Sequence, residues 1–335
     1  MYAFDLAPAI AEIRRTGAKT VGLETPDGLK HLAPDAARRI EEETGAEVVV
    51  SGESCWGACD TNVKLWEQVD LLVHLGHAPM LARERMVFVP VRMEVDPLPV
   101  VEKALARIPG RRVVLLTTAQ HLHKMGEVEA LLRARGKEPL YGPAGGRVKS
   151  PGQMLGCDFR AARADGDALL YVGSGDFHPL GAAMGTRKPV VVADPVTGQV
   201  RVVTAGGLLE ERRRVLKRAA GARRWGILVS PKPGQARGGL ARKLSEEAFK
   251  KGWEAQTVFM DEVAPSKVDN FGFDAWVNTA CPRLALDDAH RFEKPMLTPQ
   301  EFEVLLGLRK WEEYVFDEIS GHYDISGQGN GRERA

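Results

Sequence analysis

Lys19-Thr20-Val21-Gly22-Leu23-Glu24, the loop Thr25-Pro26-Asp27-Gly28, an amphipathic stretch that stops at Gly45, and a second apolar run to Val50 form the segment that decides the fold. Strand, polar loop, helix, glycine stop and strand follow one another within residues 19–50. The same order recurs over residues 111–141 and 224–259. Each helix runs into a glycine suited to a left-handed cap, namely Gly45, Gly136 and Gly252. A third strand is expected at 71–75, at 168–172 and at 275–278. Strands alternating with helices predict an α/β protein of three similar domains, each a small parallel sheet flanked by helices and arranged around a central site. The expected divisions are residues 1–100, 101–220 and 221–326, with a polar tail over 327–335 left outside the fold.

A chain of 335 residues exceeds one ordinary core and suits several domains. Hydrophobic residues at 44% and charged residues at 27% match a globular chain rather than a disordered one. The net charge of +1 gives no overall pull toward nucleic acid or anionic membrane. The basic runs Arg212-Arg213-Arg214 and Arg223-Arg224 therefore read as solvated surface. With no long apolar span and no signal-peptide layout, the expected location is the cytoplasm, with no membrane and no direct nucleic-acid partner.

The four cysteines do not make a disulfide scaffold in a chain of this size. Three of them, Cys59, Cys157 and Cys281, stand far apart, each close to a glycine or proline, so a site they share must be assembled from three separate segments. Three thiolates without an obvious fourth ligand suit a [4Fe-4S] cluster with one iron open to a substrate. Structural zinc prefers four ligands in close pairs such as C-x2-C, which the chain lacks. Cys55 forms a C-x3-C pair with Cys59, but Asn62 stands where the common radical S-adenosylmethionine motif needs a third cysteine. Cys55 is read as a spare thiol or a buried hydrophobe rather than a fourth ligand. Loops after the third strands, Gly76-His77-Ala78-Pro79, Asp176-Phe177-His178-Pro179 and Ala280-Cys281-Pro282, lie where parallel α/β sheets gather ligands.

Thr25-Pro26-Asp27-Gly28-Leu29, Gly57-Ala58-Cys59-Asp60, Leu155-Gly156-Cys157, Asp176-Phe177-His178-Pro179, Lys232-Pro233-Gly234-Gln235 and Thr279-Ala280-Cys281-Pro282-Arg283 with Asp287-Asp288 occur in this order. Together they resemble the archaeal diphthamide-synthesis enzymes over residues 18–297. The resemblance implies a homodimer of three-domain subunits, each using one cysteine per domain to hold a [4Fe-4S] cluster. It implies reductive cleavage of S-adenosyl-L-methionine at the bond from sulfur to the methionine γ-carbon. The 3-amino-3-carboxypropyl radical so formed is added to a histidine of translation elongation factor 2, leaving methylthioadenosine. An electron donor is required as a further partner.

On this reading Arg283 pairs with the methionine carboxylate, its ordinary alternative being a surface ion pair with Asp287 or Asp288. Gln235 holds a polar group of the ligand or merely sits in a solvated turn. Asp287 or Asp288 takes the ligand ammonium, or caps the next helix. His178 contacts the ligand or the incoming imidazole, or is a turn histidine. Gly175 permits close approach of the backbone, and His77 is assigned to structure. Two other classes fit the plan: a quinolinate synthase-like dehydratase, also built of three α/β repeats with three cysteines, and a non-catalytic iron-sulfur scaffold protein.

Overall fold

In the first repeat, β1 (Thr20–Glu24) leads through a 3-10 helix, Asp27–Leu32, into α1 (Ala33–Thr44) and then β2 (Glu47–Val50). Strands β3 (Leu71–Gly76) and β4 (Met86–Pro90) complete a parallel sheet of order β2-β1-β3-β4. Residues 71–75 of β3 are buried without alternation, as expected of a central strand covered on both faces, whereas β2 at the edge is largely exposed. These features belong to a computed structural model that describes residues 2–80 and 84–319; the tail expected over 327–335 lies outside the described residues.

The second repeat supplies β5 (Arg112–Thr117), α2 (Met125–Ala134), β6 (Glu138–Tyr141) and β7 (Ala168–Val172). After α3 (Phe177–Thr186) come β8 (Val190–Asp194) and β9 (Gln199–Val203), giving the order β9-β8-β7-β5-β6. Helix α4 (Gly206–Ala219) precedes the third repeat of β10 (Arg224–Val229), α5 (Gly238–Lys250), β11 (Glu254–Phe259) and β12 (Ala275–Asn278). There α6 (Pro282–Leu286), β13 (Met296–Leu297) and α7 (Pro299–Leu306) follow, in a parallel sheet of order β11-β10-β12-β13. Gly45, Gly136 and Gly252 take positive φ of 72°, 76° and 74° just beyond their helices, as the sequence pattern requires. Among the described residues no helix is long and apolar enough to cross a membrane.

A side-chain device repeats with the sheets. Asp70, Asp167 and Asp274 each stand one residue before the third strand of their repeat. Each carboxylate accepts two main-chain N–H groups at the start of the first strand: Lys19 and Thr20 at 2.8 and 2.9 Å, Arg111 and Arg112 both at 2.8 Å, Arg223 and Arg224 at 3.0 and 2.9 Å. These bonds hold each carboxyl below its ordinary pKa, for Asp274 at about 2. The aspartate thus ties two neighbouring strands at the end opposite the functional loops.

Two compact units partition the chain. The first comprises Met1–Met154, Ala164–Ser174 and Val191–Arg201; the second comprises Leu155–Arg163, Gly175–Val190 and the chain from Val202 onward. The first and second sheets fall in the first unit apart from the ends of β8 and β9, and the third sheet falls in the second.

One expectation from composition is corrected in the second unit. Arg212 is not solvated surface: it is fully buried and makes a two-pronged pair with the equally buried Glu301, both bonds 2.7 Å. Its remaining donors reach the carbonyls of Ala285 at 2.6 Å and Met296 at 2.8 Å, so it joins α4 to α6, β13 and α7. Position on the inner face of α4, beside Val215 and Ala219 one and two turns on, is what distinguishes it from exposed Arg213 and Arg214.

Candidate active site

In the second unit the Cys157 loop and the helix that follows Cys281 pack on one aromatic ring, that of Phe177 at the start of α3. Gly156, immediately before Cys157, approaches so closely that a Cβ there would lie 2.6 Å from Phe177 Cε1; only glycine leaves the ring its place. The guanidinium of Arg283, two residues after Cys281, lies over the same ring 4.9 Å from its centroid, a cation–π contact. Phe316 braces Phe177 edge-on at 5.9 Å. The Cys157 carbonyl accepts the Ile319 N–H at 2.9 Å, which fixes its loop from behind.

Cys281 follows β12 and forms the N-cap position of α6, with Pro282 as the first helical residue. Its carbonyl accepts from Asn278 Nδ2 at 2.8 Å. The approach to Cys281 is clamped by Arg237, buried and paired through both terminal nitrogens with Asp317 at 2.7 Å. Arg237 also donates to the carbonyls of Thr279 at 2.7 Å and Ala280 at 3.0 Å. Gln235 lies two residues before this arginine, buried, its N–H turned back onto the Lys232 carbonyl at 2.9 Å. The Gln235 turn and the Cys281 loop are therefore held in one framework.

Around Phe177 the charges are graded. Arg283 meets Asp287 through Nε at 3.1 Å and through Nη2, a pair that is about half exposed on both sides. Half-buried His178 is held at a pKa of about 4, first by burial, then by the Arg283 cation, with Asp287 opposing. At neutral pH it is an uncharged imidazole. Asp288 sits at the N-cap of the short turn Ala289–Arg291 but makes no capping bond with its side chain. Gly175, at φ 76°, has open space where a Cβ would point, so its left-handed backbone rather than crowding calls for glycine.

In the first unit Cys59 is partly exposed on a tightly tied loop. Asp60 accepts the Trp56 N–H at 3.1 Å, its own N–H reaches the Gly57 carbonyl at 2.9 Å, the Asp27 N–H donates to the Cys55 carbonyl at 3.3 Å and the Cys55 N–H to the Asp27 carboxylate at 3.3 Å. Cys55 is buried, and burial first, then Glu24 and Asp60, pushes its thiol pKa far up. The cysteines divide by burial: Cys59, Cys157 and Cys281 are partly exposed and lie outside the strands and helices, whereas Cys55 is enclosed. Partly exposed thiols of this kind are the sulfur donors that iron-sulfur clusters take.

Thus the second unit gathers Cys157, Cys281, Gln235, Arg283, Asp287, His178 and Gly175, and the first unit carries Cys59 and His77. Phe177 and Arg237 escaped the sequence reading. Phe177 stood inside a quoted motif, yet nothing local marks it as the ring beneath Arg283, and Arg237 carried no signal besides its distance of two residues from Gln235.

The profile of the diphthamide synthesis protein family matches residues 25–315. The chain is 38% identical to the 2-(3-amino-3-carboxypropyl)histidine synthase of Pyrococcus horikoshii, over 93% of this chain and 92% of that protein. It is 30% identical to subunit 1 of the synthase of that name from Gallus gallus, over 93% of this chain and 78% of the relative. Its structure superposes on the crystal structure of Dph2 from Pyrococcus horikoshii with a 4Fe-4S cluster, with a TM-score of 0.90 at 37% identity, covering 97% of this chain and 96% of that one.

Proposed function

Since this chain belongs to the diphthamide synthesis protein family, we propose that it catalyses the first step of diphthamide biosynthesis as a 2-(3-amino-3-carboxypropyl)histidine synthase. Cys59, Cys157 and Cys281 hold a [4Fe-4S] cluster, and S-adenosyl-L-methionine is the donor of the 3-amino-3-carboxypropyl group. A histidine of translation elongation factor 2 is the acceptor, an external electron donor feeds the cluster, and the working species is a cytoplasmic homodimer.

The observation that carries this reading is the packing of the Cys157 loop and of Arg283 on the single ring of Phe177. It sets two thiol-bearing segments beside a guanidinium and a carboxylate that together suit an amino-acid end. When bound, the reduced cluster supplies one electron to the sulfur–γ-carbon bond of the sulfonium ligand, a task beyond side chains. Arg283 takes the ligand carboxylate and Asp287 its ammonium, so the Arg283–Asp287 pair opens to admit a zwitterion and two ion pairs replace one. Phe177 keeps the guanidinium in plane during the exchange. His178 is neutral and can donate or accept without competing for the carboxylate. Gln235, already buried, adds an amide to the polar end. Which bond faces the cluster is set by this clamping, as orientation governs which atoms react.

The test is anaerobic reconstitution followed by dithionite, S-adenosyl-L-methionine and elongation factor 2. Methylthioadenosine should appear with the aminocarboxypropyl group on the factor; 5′-deoxyadenosine as the main product would refute the proposed cleavage. Replacing Cys59, Cys157 or Cys281 by Ala should each abolish the electron paramagnetic resonance signal of the reduced cluster.

A further inference from the structure

The first unit contains a second set of metal-ligating side chains, separate in residue identity from the three accessible cysteines. Cys55, His74 and His77 each present a donor atom, and the three atoms lie within 4.8 Å of one another. His74 is an anomaly in β3: it is wholly buried in a strand otherwise apolar from Leu71 to Leu75, its ring 5.0 Å from that of Phe88. Such a group needs partners, because an unpaired buried polar atom is strongly penalised.

Those partners are arranged as a ligand shell. Glu24, also buried, accepts the Asn62 N–H through Oε1 at 2.7 Å and meets His74 Nδ1 through Oε2 at 2.8 Å. A carboxylate there accepts the Nδ1 proton and leaves Nε2 with its lone pair. That nitrogen faces His77 Nδ1 at 2.8 Å. Carboxylate, imidazole and a lone pair turned inward is the outer-shell pattern that orients metal-ligating histidines. Among the described residues, Cys55 Sγ makes one weak hydrogen-bonding contact, with the Gly57 carbonyl 3.7 Å away.

We propose that Cys55 Sγ, His74 Nε2 and a ring nitrogen of His77 form a mononuclear site for a divalent cation of the zinc type, with Glu24 as its outer-shell carboxylate. Two imidazoles and one thiolate form a borderline-soft donor set that suits zinc, and water completes the tetrahedron. Metal–nitrogen bonds of about 2.0–2.1 Å place tetrahedral nitrogens about 3.3 Å apart, and a metal–sulfur bond of about 2.3 Å places sulfur about 3.6 Å from each nitrogen. The imidazoles need separate by only about half an ångström and the thiol close by about one, which side-chain rotation supplies. The Cys55 proton leaves to solvent, and His77 keeps its remaining proton on the nitrogen that does not bind. Bound there, the cation would cross-link the end of β3 to the loop that begins four residues before Cys59, fixing that loop for whatever Cys59 ligates. The site goes beyond the proposed transferase activity and does not depend on it.

Cobalt(II) is the probe. In the full-length C59A/C157A/C281A chain, Cys55 is the sole thiol. One equivalent of cobalt should produce a thiolate-to-cobalt charge-transfer band together with intense tetrahedral ligand-field bands. His77→Ala added to this chain should remove the charge-transfer band, and Glu24→Gln should weaken cobalt binding about 10- to 100-fold. No thiolate band, or a band indifferent to His77→Ala, would overturn the proposal. If the triple variant does not fold, zinc and iron are measured in the cluster-loaded wild-type chain and in Cys55→Ser. One zinc per chain lost in Cys55→Ser with iron unchanged supports the site, and equal zinc contents refute it.

Discussion

Arg212→Met should be among the most damaging substitutions in the second unit, for a reason that is local and quantitative. The wild-type guanidinium is fully buried and spends all its bonds inside: two on Glu301, one on the Ala285 carbonyl and one on the Met296 carbonyl. Methionine fills much of the volume but leaves Glu301 enclosed with only the Tyr314 hydroxyl at 2.9 Å and the Thr298 N–H at 2.9 Å as partners. Removing one member of a buried pair typically costs about 3–5 kcal/mol, because the other charge stays desolvated. Two carbonyls also lose their donor. Urea unfolding followed by tryptophan fluorescence reads the right region, since Trp225 packs 4.6 Å from Phe302 in the same core. Because Ala285 lies in α6, the helix that carries Arg283, turnover should fall with stability. A double-mutant cycle with Glu301→Gln should show strong coupling, the double variant losing less than the sum of the singles. A loss below about 1 kcal/mol for Arg212→Met, or additive effects in the cycle, would refute the reasoning.

Gly156→Ala should displace Phe177, since the new methyl would stand 2.6 Å from a ring atom; a variant with unaltered cluster content and turnover would contradict the role given to that ring. Replacing His178 by Asn should flatten the acid side of the stability profile. The folded state holds His178 at about 4 while the unfolded chain titrates it near 6.5, so its neutral burial stabilises fully above pH 6.5 and the contribution is lost, by about 3 kcal/mol, as pH falls toward 4. Denaturation midpoints from pH 7 to 4 check this, and parallel curves for variant and wild type would exclude it. Asp274, held at about 2, contributes stability above its unfolded pKa near 3.8 that disappears as pH drops through 2. Asp274→Ala should therefore lower the midpoint at pH 7 and narrow the gap to wild type below pH 3, an outcome that a merely solvated aspartate would not produce.

The three strand–helix–strand repeats and the strand that follows each were legible in the sequence because hydrophobic period and glycine stops act over a few residues. Residues 71–75, 168–172 and 275–278 lie within the strands β3, β7 and β12, and Gly45, Gly136 and Gly252 end their helices in the left-handed region. Candidate residues were legible for a related reason: Cys, His, Arg and Asp beside glycine and proline at strand ends have few structural duties there. Other features depended on partners far away in the chain. Nothing near Arg212 announces Glu301, nothing near Phe177 announces Gly156 and Arg283, and the strand-tying Asp70, Asp167 and Asp274 bond to main chain some fifty residues earlier. Local pattern determines which face of a segment turns inward, since that is settled by side-chain period against solvent. Which buried charge meets which, and which ring underlies a guanidinium, is decided when distant segments pack, because only contact distances measured across the fold make those interactions strong.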